Sequence, residues 1–245
     1  METVYAPYPH LSIRASLPDR ASAEFPLFLT PVGKHAKMAG AGVRIHLRQK
    51  VFLGRRKMAK KILLVVGLGN PGDKYAHTRH NAGFEVLDRL AASYGVKLRK
   101  KLLLQGQTAE ITDGETKVVL CEPLTFMNRS GECVRKLLNR YRVPEENLLL
   151  IYDDIDLPPG KVRVRPNGGP GTHNGMRSIA ECIGNTAFPR IRVGTGDRPA
   201  GEDLAAWVLG HPSPEDRVKL EAAFDHAADC ARVWITDGIE KAMQR

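Results

Sequence analysis

The apolar run Ile62-Leu63-Leu64-Val65-Val66, followed at once by Gly67-Leu68-Gly69-Asn70-Pro71-Gly72, constrains the fold more than any other stretch of the chain. The run is short, aliphatic and free of polar alternation, the pattern of a strand buried on both faces of a sheet. Such a strand must be covered on both faces, and its alternation with helices farther along the chain indicates an α/β domain. Gly67, Gly69 and Gly72 also satisfy the G-x-G-x-x-G spacing of dinucleotide folds, in which a helix opens at the glycines and receives a pyrophosphate. Here Pro71-Gly72-Asp73 is a turn signal instead, and a polar loop continues through Thr78-Arg79 to His80-Asn81-Ala82-Gly83. The glycines are expected to turn the chain sharply off the strand so that Asn70 projects into a cleft. A strand ending in a loop with an asparagine, a tyrosine and a histidine suits an active site better than a cofactor cradle.

Further elements follow in an alternating order. Phe84–Ala91 has helical apolar spacing and Gly95 closes it, while Leu102–Ile111 and Thr116–Cys121 read as a hairpin turning at Asp113-Gly114. A second helix runs through Val134, Leu137, Leu138 and Tyr141 until Pro144 breaks the pattern. Leu148–Tyr152 is a second buried strand, with Asp153 directly after it. A short basic strand, Lys161–Arg165, a Gly-rich loop, Pro166–Thr172, a helix from about His173 and a strand, Arg190–Thr195, come next. Ser213-Pro214-Glu215-Asp216 is a well-formed helix start, with a cap serine, a first-turn proline and acids at the positive end of the dipole. The order predicts a single domain with a mixed twisted sheet flanked by helices, spanning residues 58–245.

The formal charge of +10 is unevenly distributed. Residues 1–57 carry ten Lys/Arg against three Asp/Glu, a net +7, and the remainder carries only a net +3. Any nucleic-acid contact of the folded part is therefore expected from a local patch rather than a global field. The first 57 residues hold five prolines and no sustained periodicity, so they read as a poorly structured extension. Two origins compete: a transit-like leader or an over-extended gene start, with Met58 as the natural first residue; the second is the reading adopted. The protein is expected in the cytoplasm, or in an organelle only if the leader is a genuine transit peptide. Cys121, Cys133, Cys182 and Cys230 have no paired spacing and read as reduced, buried thiols. No run of about 18 apolar residues suggests a membrane span.

Open α/β sheets place their sites at the carboxyl ends of strands. If the loops converge there, His80 pairs with Asp153 among asparagines. Neutral imidazole is abundant at pH 7 and can take a proton from water, and a carboxylate on its other nitrogen fixes the tautomer. No G-x-S-x-G elbow supplies a nucleophile, so water attacking a carbonyl compound is the expected chemistry. Each residue also has a plainer role open to it. Asn70 suits a turn, His80 a helix cap or a satisfied core site, Asn128 an N-cap, and Asp153 a simple ion pair. Asp153, Asp154 and Asp156 could attract Mg²⁺, but Leu157-Pro158-Pro159 follows at once and no further acid is well spaced, so no metal is expected. Lys161, Arg163 and Arg165 share one strand face, and Arg190 and Arg192 repeat the alternation. Beside a Gly-rich loop they could receive phosphate, although a solvated face would look the same.

Taken together, five motifs resemble the bacterial-type peptidyl-tRNA hydrolase family in the family's order. They are Gly67–Gly72, Thr78–Gly83, Thr125-Phe126-Met127-Asn128-Arg129-Ser130-Gly131, Asp153–Gly160 and His173-Asn174-Gly175-Met176. The resemblance covers Lys60–Arg245 and implies hydrolysis of the ester between peptide and tRNA by a metal-free, cofactor-free monomer. It implies that His80 is the general base, oriented by Asp153, and that Asn70 and Asn174 position substrate and water. Asn128 would hold the peptide end or the water, with Tyr75 beside the terminal adenosine and Phe126 also in the substrate cleft. Arg163, Arg165 and Arg192 would receive tRNA phosphate. The chain departs from the family at Gly171-Thr172-His173, where Gly-Gly-His is common, and at Arg163 and Arg165, where lysines are frequent. A non-catalytic RNA-binding module and a nicotinamide oxidoreductase are the rival classes. The retained Asn70, His80 and Asp153 oppose the first, and the turn after the glycines opposes the second.

Overall fold

A computed structural model describes residues 61–245; the expectations for residues 1–57 and for Met58 as the first residue lie outside the described residues. Seven strands form one sheet: β1 (Ile62–Gly67), β2 (Arg99–Lys101), β3 (Gly106–Asp113), β4 (Thr116–Pro123), β5 (Leu148–Asp154), β6 (Val162–Arg165) and β7 (Arg190–Gly194). Their order across the sheet is β2-β3-β4-β1-β5-β7-β6. The four central strands run parallel, with an antiparallel pair at one edge and antiparallel β6 at the other, so the sheet is mixed.

The helices are α1 (Ala82–Ser93), α2 (Ser130–Tyr141), α3 (Asn174–Ile183), α4 (Leu204–Leu209), α5 (Pro214–Asp237) and α6 (Ile239–Ala242). Alternate residues of each central strand feed opposite cores. Leu63, Val65, Leu120 and Ile151 pack with α1 and α5, whereas Leu64, Val66, Cys121 and Leu150 pack with α2 and α3. That double burial is what the unalternating apolar runs encode. Ser213 caps α5 through the Asp216 N–H at 3.1 Å, with Pro214 in the first turn, as its local sequence predicts.

Three local expectations change. Leu102–Leu104 is not strand but a single 3-10 turn, and β3 starts at Gly106; Leu102 and Leu103 are exposed, so no core draws them into the ladder. β5 continues through Asp153 and Asp154 because β7 pairs with both. The opening glycines mainly permit close packing, since of the three only Gly72 has a left-handed φ, of 104°. A Cβ on Gly67 would fall 2.2 Å from the Gly83 carbonyl oxygen, and one on Gly83 would fall 2.3 Å from that of Ile151. This bare backbone contact seats the start of α1 on the ends of β1 and β5, and with it the turn that carries His80.

Candidate active site

The loops after β1, β4 and β5 and the N-terminus of α3 surround a pocket of about 670 Å³ at the carboxyl end of the sheet. His80 sits in a 3-10 turn, Arg79–Asn81, just before α1. Its Nδ1 lies 2.8 Å from Asp153 Oδ1, and both side chains are buried. Burial disfavours ionised His80, but the Asp153 charge and hydrogen bond outweigh it, so the imidazole pKa is raised above its ordinary value. Burial likewise opposes ionised Asp153, yet the facing imidazoles hold its carboxyl well below the usual carboxylate range. A carboxylate at Asp153 requires a proton on His80 Nδ1, which leaves Nε2 as the free lone pair.

Asp153 Oδ1 has a second imidazole partner: His173 Nε2 is 3.0 Å away. His173 is the N-cap of α3, and its Nδ1 accepts the Met176 N–H at 3.2 Å. That acceptor role places the ring proton on Nε2, so His173 donates to Asp153. Its ring also lies 4.8 Å from Tyr152 and 4.9 Å from His80, centroid to centroid. His173 is the polar residue that sequence reasoning left out of the site, although it precedes Asn174 in the same motif. His80, Asp153 and His173 are close enough to bracket a metal ion. Coordination through His173 Nε2 would require its lone pair, and the Nδ1 acceptor bond to Met176 has already assigned that nitrogen a proton. The set is built as two imidazole donors converging on one carboxylate oxygen.

Asn70 is not a simple turn residue. Its Oδ1 accepts the Met127 N–H at 2.8 Å, which leaves Nδ2 without a partner among the described residues, and Asn70 lines the pocket. Asn81 holds the Asn70 backbone from both sides: its Oδ1 accepts the Asn70 N–H at 2.9 Å, and its Nδ2 donates to the Asn70 carbonyl at 3.0 Å. Asn81 is therefore a second residue that sequence reasoning missed, again one position from a residue it named. Asn128 lies in a 3-10 turn ahead of α2, whose N-cap is Arg129, so Asn128 is not a cap; it and Asn174 line the pocket. Tyr75 and Phe126 line it too, as an edge-to-face pair with centroids 6.4 Å apart.

The register of β6 and β7 sets Arg163 opposite Arg192 and Arg165 opposite Arg190. In an antiparallel pair, opposed residues share a face, so the four arginines stand on one face of the β6–β7 pair. They are not equivalent. Arg190 is buried and donates to the carbonyls of Gly169, Thr186 and Phe188, which fastens the Gly-rich loop. Arg192 is half-buried and pairs with Asp154. Arg163 and Arg165 are exposed and make no ion pair among the described residues. Arg165 and Arg192 line the pocket, and Arg163 lies outside its wall.

The family described as peptidyl-tRNA hydrolase matches residues 64–245. The chain belongs to that family. A peptidyl-tRNA hydrolase from Chloroflexus aurantiacus (strain J-10-fl) is 46% identical over 183 residues, 74% of this chain and 97% of that protein. A peptidyl-tRNA hydrolase from Haemophilus influenzae is 45% identical over 187 residues, 76% of this chain and 96% of the relative. The crystal structure of peptidyl-tRNA hydrolase from Acinetobacter baumannii aligns with a TM-score of 0.71 at 36% identity, covering 76% of this chain and 94% of that one. The peptidyl-tRNA hydrolase fold thus accounts for the mixed sheet and for the loops that meet at its carboxyl end.

Proposed function

We propose that this chain hydrolyses the ester joining the peptide to the 3′-terminal ribose of tRNA, returning the tRNA to translation. The observation that carries the reading is the buried His80–Asp153 hydrogen bond, which leaves His80 Nε2 as a base in a pocket that Asn70 also lines. In this mechanism Nε2 takes a proton from water as the water oxygen attacks the ester carbonyl carbon. Negative charge moves to the carbonyl oxygen, where an amide donor such as Asn70 Nδ2 stabilises it. The tetrahedral intermediate collapses, the bond to the ribose 3′-oxygen breaks, and the imidazolium returns its proton to that oxygen. Asp153 stays ionised throughout and stabilises the imidazolium.

Asn128 and Asn174 are assigned to the peptide and the attacking water, and Tyr75 with Phe126 to the terminal adenosine. Arg163, Arg165 and Arg192 are assigned to tRNA phosphate, supported by their shared face. We further infer that the domain acts as a monomer in the cytoplasm, or in an organelle if residues 1–57 are a genuine transit peptide. Its four thiols are free, and no described helix is long and apolar enough to cross a membrane. The decisive measurement is release of free tRNA from purified peptidyl-tRNA. Loss of general-base assistance in His80→Ala is expected to slow turnover about 10²–10⁴-fold with the fold retained. Near-full activity in that variant would remove His80 from the mechanism.

A further inference from the structure

Helix α4 forms part of the pocket wall through Leu204, Val208 and Leu209, yet none of its six residues is buried. A helix so short has no intrinsic stability in water and no sunken face to fix its position. Its side-chain hydrogen bonds are few among the described residues. Asp203 caps it by accepting the Ala206 N–H at 2.9 Å, and the Trp207 indole N–H donates to the Gly196 carbonyl at 3.0 Å. Much of the remaining hold comes from one residue, chiefly through its side chain. The Arg79 guanidinium carbon lies 3.5 Å from the centroid of the Trp207 ring. Arg79 Nη1 donates to the carbonyls of Trp207, at 3.3 Å, and His211, at 2.9 Å, and the Arg79 backbone N–H donates to the Gly210 carbonyl at 3.1 Å. Arg79 is only 6% exposed, and the next residue in the chain is His80.

We propose that Arg79 is a positioning residue, pinning α4 to the turn that carries His80 and so setting the pocket wall at a fixed distance from the reacting groups. The geometry needs arginine. A guanidinium can sit over an indole and at the same time donate from its several N–H groups to carbonyls at a helix C-terminus, which a lysine ammonium does not reproduce. A buried cation with those partners ties two segments more than 120 positions apart in the chain. The consequence is kinetic. A wall that contacts bound substrate contributes to ground-state and transition-state binding alike, so releasing it raises KM and leaves kcat nearly intact. An arginine that only stabilised the fold would lower the unfolding midpoint without moving KM.

The proposal rests on the pocket being the hydrolytic site. The test is steady-state turnover of peptidyl-tRNA by the full chain carrying Arg79→Ala, Arg79→Lys, Trp207→Leu or Leu209→Ala, with His80→Ala beside them. Arg79→Ala and Trp207→Leu are each expected to raise KM about tenfold with kcat within about threefold, and Arg79→Lys to restore only part of the loss. Leu209→Ala added to Arg79→Ala is expected to raise KM no further, because the wall is already released. An unchanged KM in Trp207→Leu, or full additivity of Arg79→Ala and Leu209→Ala, overturns the proposal. If Arg79→Ala fails to fold, Arg79→Lys decides beside Trp207→Leu, since it keeps the Trp207–Gly196 bond, and an unchanged KM in both overturns the proposal. Retained activity in His80→Ala would sink the pocket reading itself. An inactive His80→Ala with an unchanged KM in Trp207→Leu sinks only the clamp.

Discussion

Replacing Glu122 by glutamine should stabilise this protein, increasingly so as pH rises. Glu122 stands on β4 opposite Gln107, on the face that packs against α1, and is 2% exposed. One carboxyl oxygen accepts from the Gln107 amide, and the other has no partner among the described residues. Burial, and then the like charges of Asp88 and Glu85 on α1, push its pKa from the ordinary 4.5 to about 8. The folded state therefore holds a proton that the unfolded chain releases. A raised carboxyl pKa leaves stability intact below about pH 4.5 and erodes it as pH rises toward 8, by about 1.4 kcal/mol per unit. The deficit reaches about 3 kcal/mol at pH 7, a sizeable share of the stability of an ordinary domain.

Glutamine keeps the carbonyl that Gln107 donates to and removes the ionisation. Any cost of its amide group opposite the unpartnered oxygen is independent of pH and displaces the whole curve without changing its slope. The assay is urea unfolding of wild type and Glu122→Gln at pH 5, 6, 7 and 8. The stability difference should widen by about 1.4 kcal/mol at each step up to about pH 7 and level off near pH 8. Parallel curves across that range would show that Glu122 ionises freely in the fold and would refute the argument.

The raised His80 pKa places the acid limb of kcat/KM above about pH 6.5, because only neutral His80 accepts a proton. Asp153→Asn should lower that limb along with the rate, and a limb that stays in place would separate Asp153 from the base. Gly83→Ala would drive a methyl group to 2.3 Å from the Ile151 carbonyl oxygen. It should cost about 1–3 kcal/mol of stability in urea, and a loss well under 1 kcal/mol would mean that α1 does not seat there tightly. Arg165→Ala should weaken tRNA binding and lower the slope of log affinity against log salt by about one unit, whereas Arg192→Ala, whose charge is paired with Asp154, should change the slope less. Equal slope changes would contradict that division of labour.

Much of the architecture could be read from short windows of the sequence. The β1 and β5 runs, the α5 cap and the hairpin turn at Gly114 depend on neighbours a few residues away. A serine before a proline and two acids carries its own instructions. The leucines at 102–104 misled because an apolar run states what is hydrophobic and not whether a core is there to receive it. Convergence of the polar loops could be inferred from the general habit of α/β sheets, and the order of motifs sharpened it to a family. His173 and Asn81 were visible in their motifs but carried no assigned role, because a residue's place in a site depends on where its side chain points, which a motif does not specify.

What the sequence determined by itself was which segments must be buried on both faces and which loops carry polar chemistry. Those properties follow from local periodicity and composition. Only the tertiary structure decided that two histidines share one oxygen of Asp153, with His80 73 positions away from it. It alone set Arg163 against Arg192, laid Gly67 against Gly83, and hung α4 on Arg79. Each of those depends on strand order, register and the approach of a helix to the sheet, quantities fixed by the whole packed core and by no window of the chain.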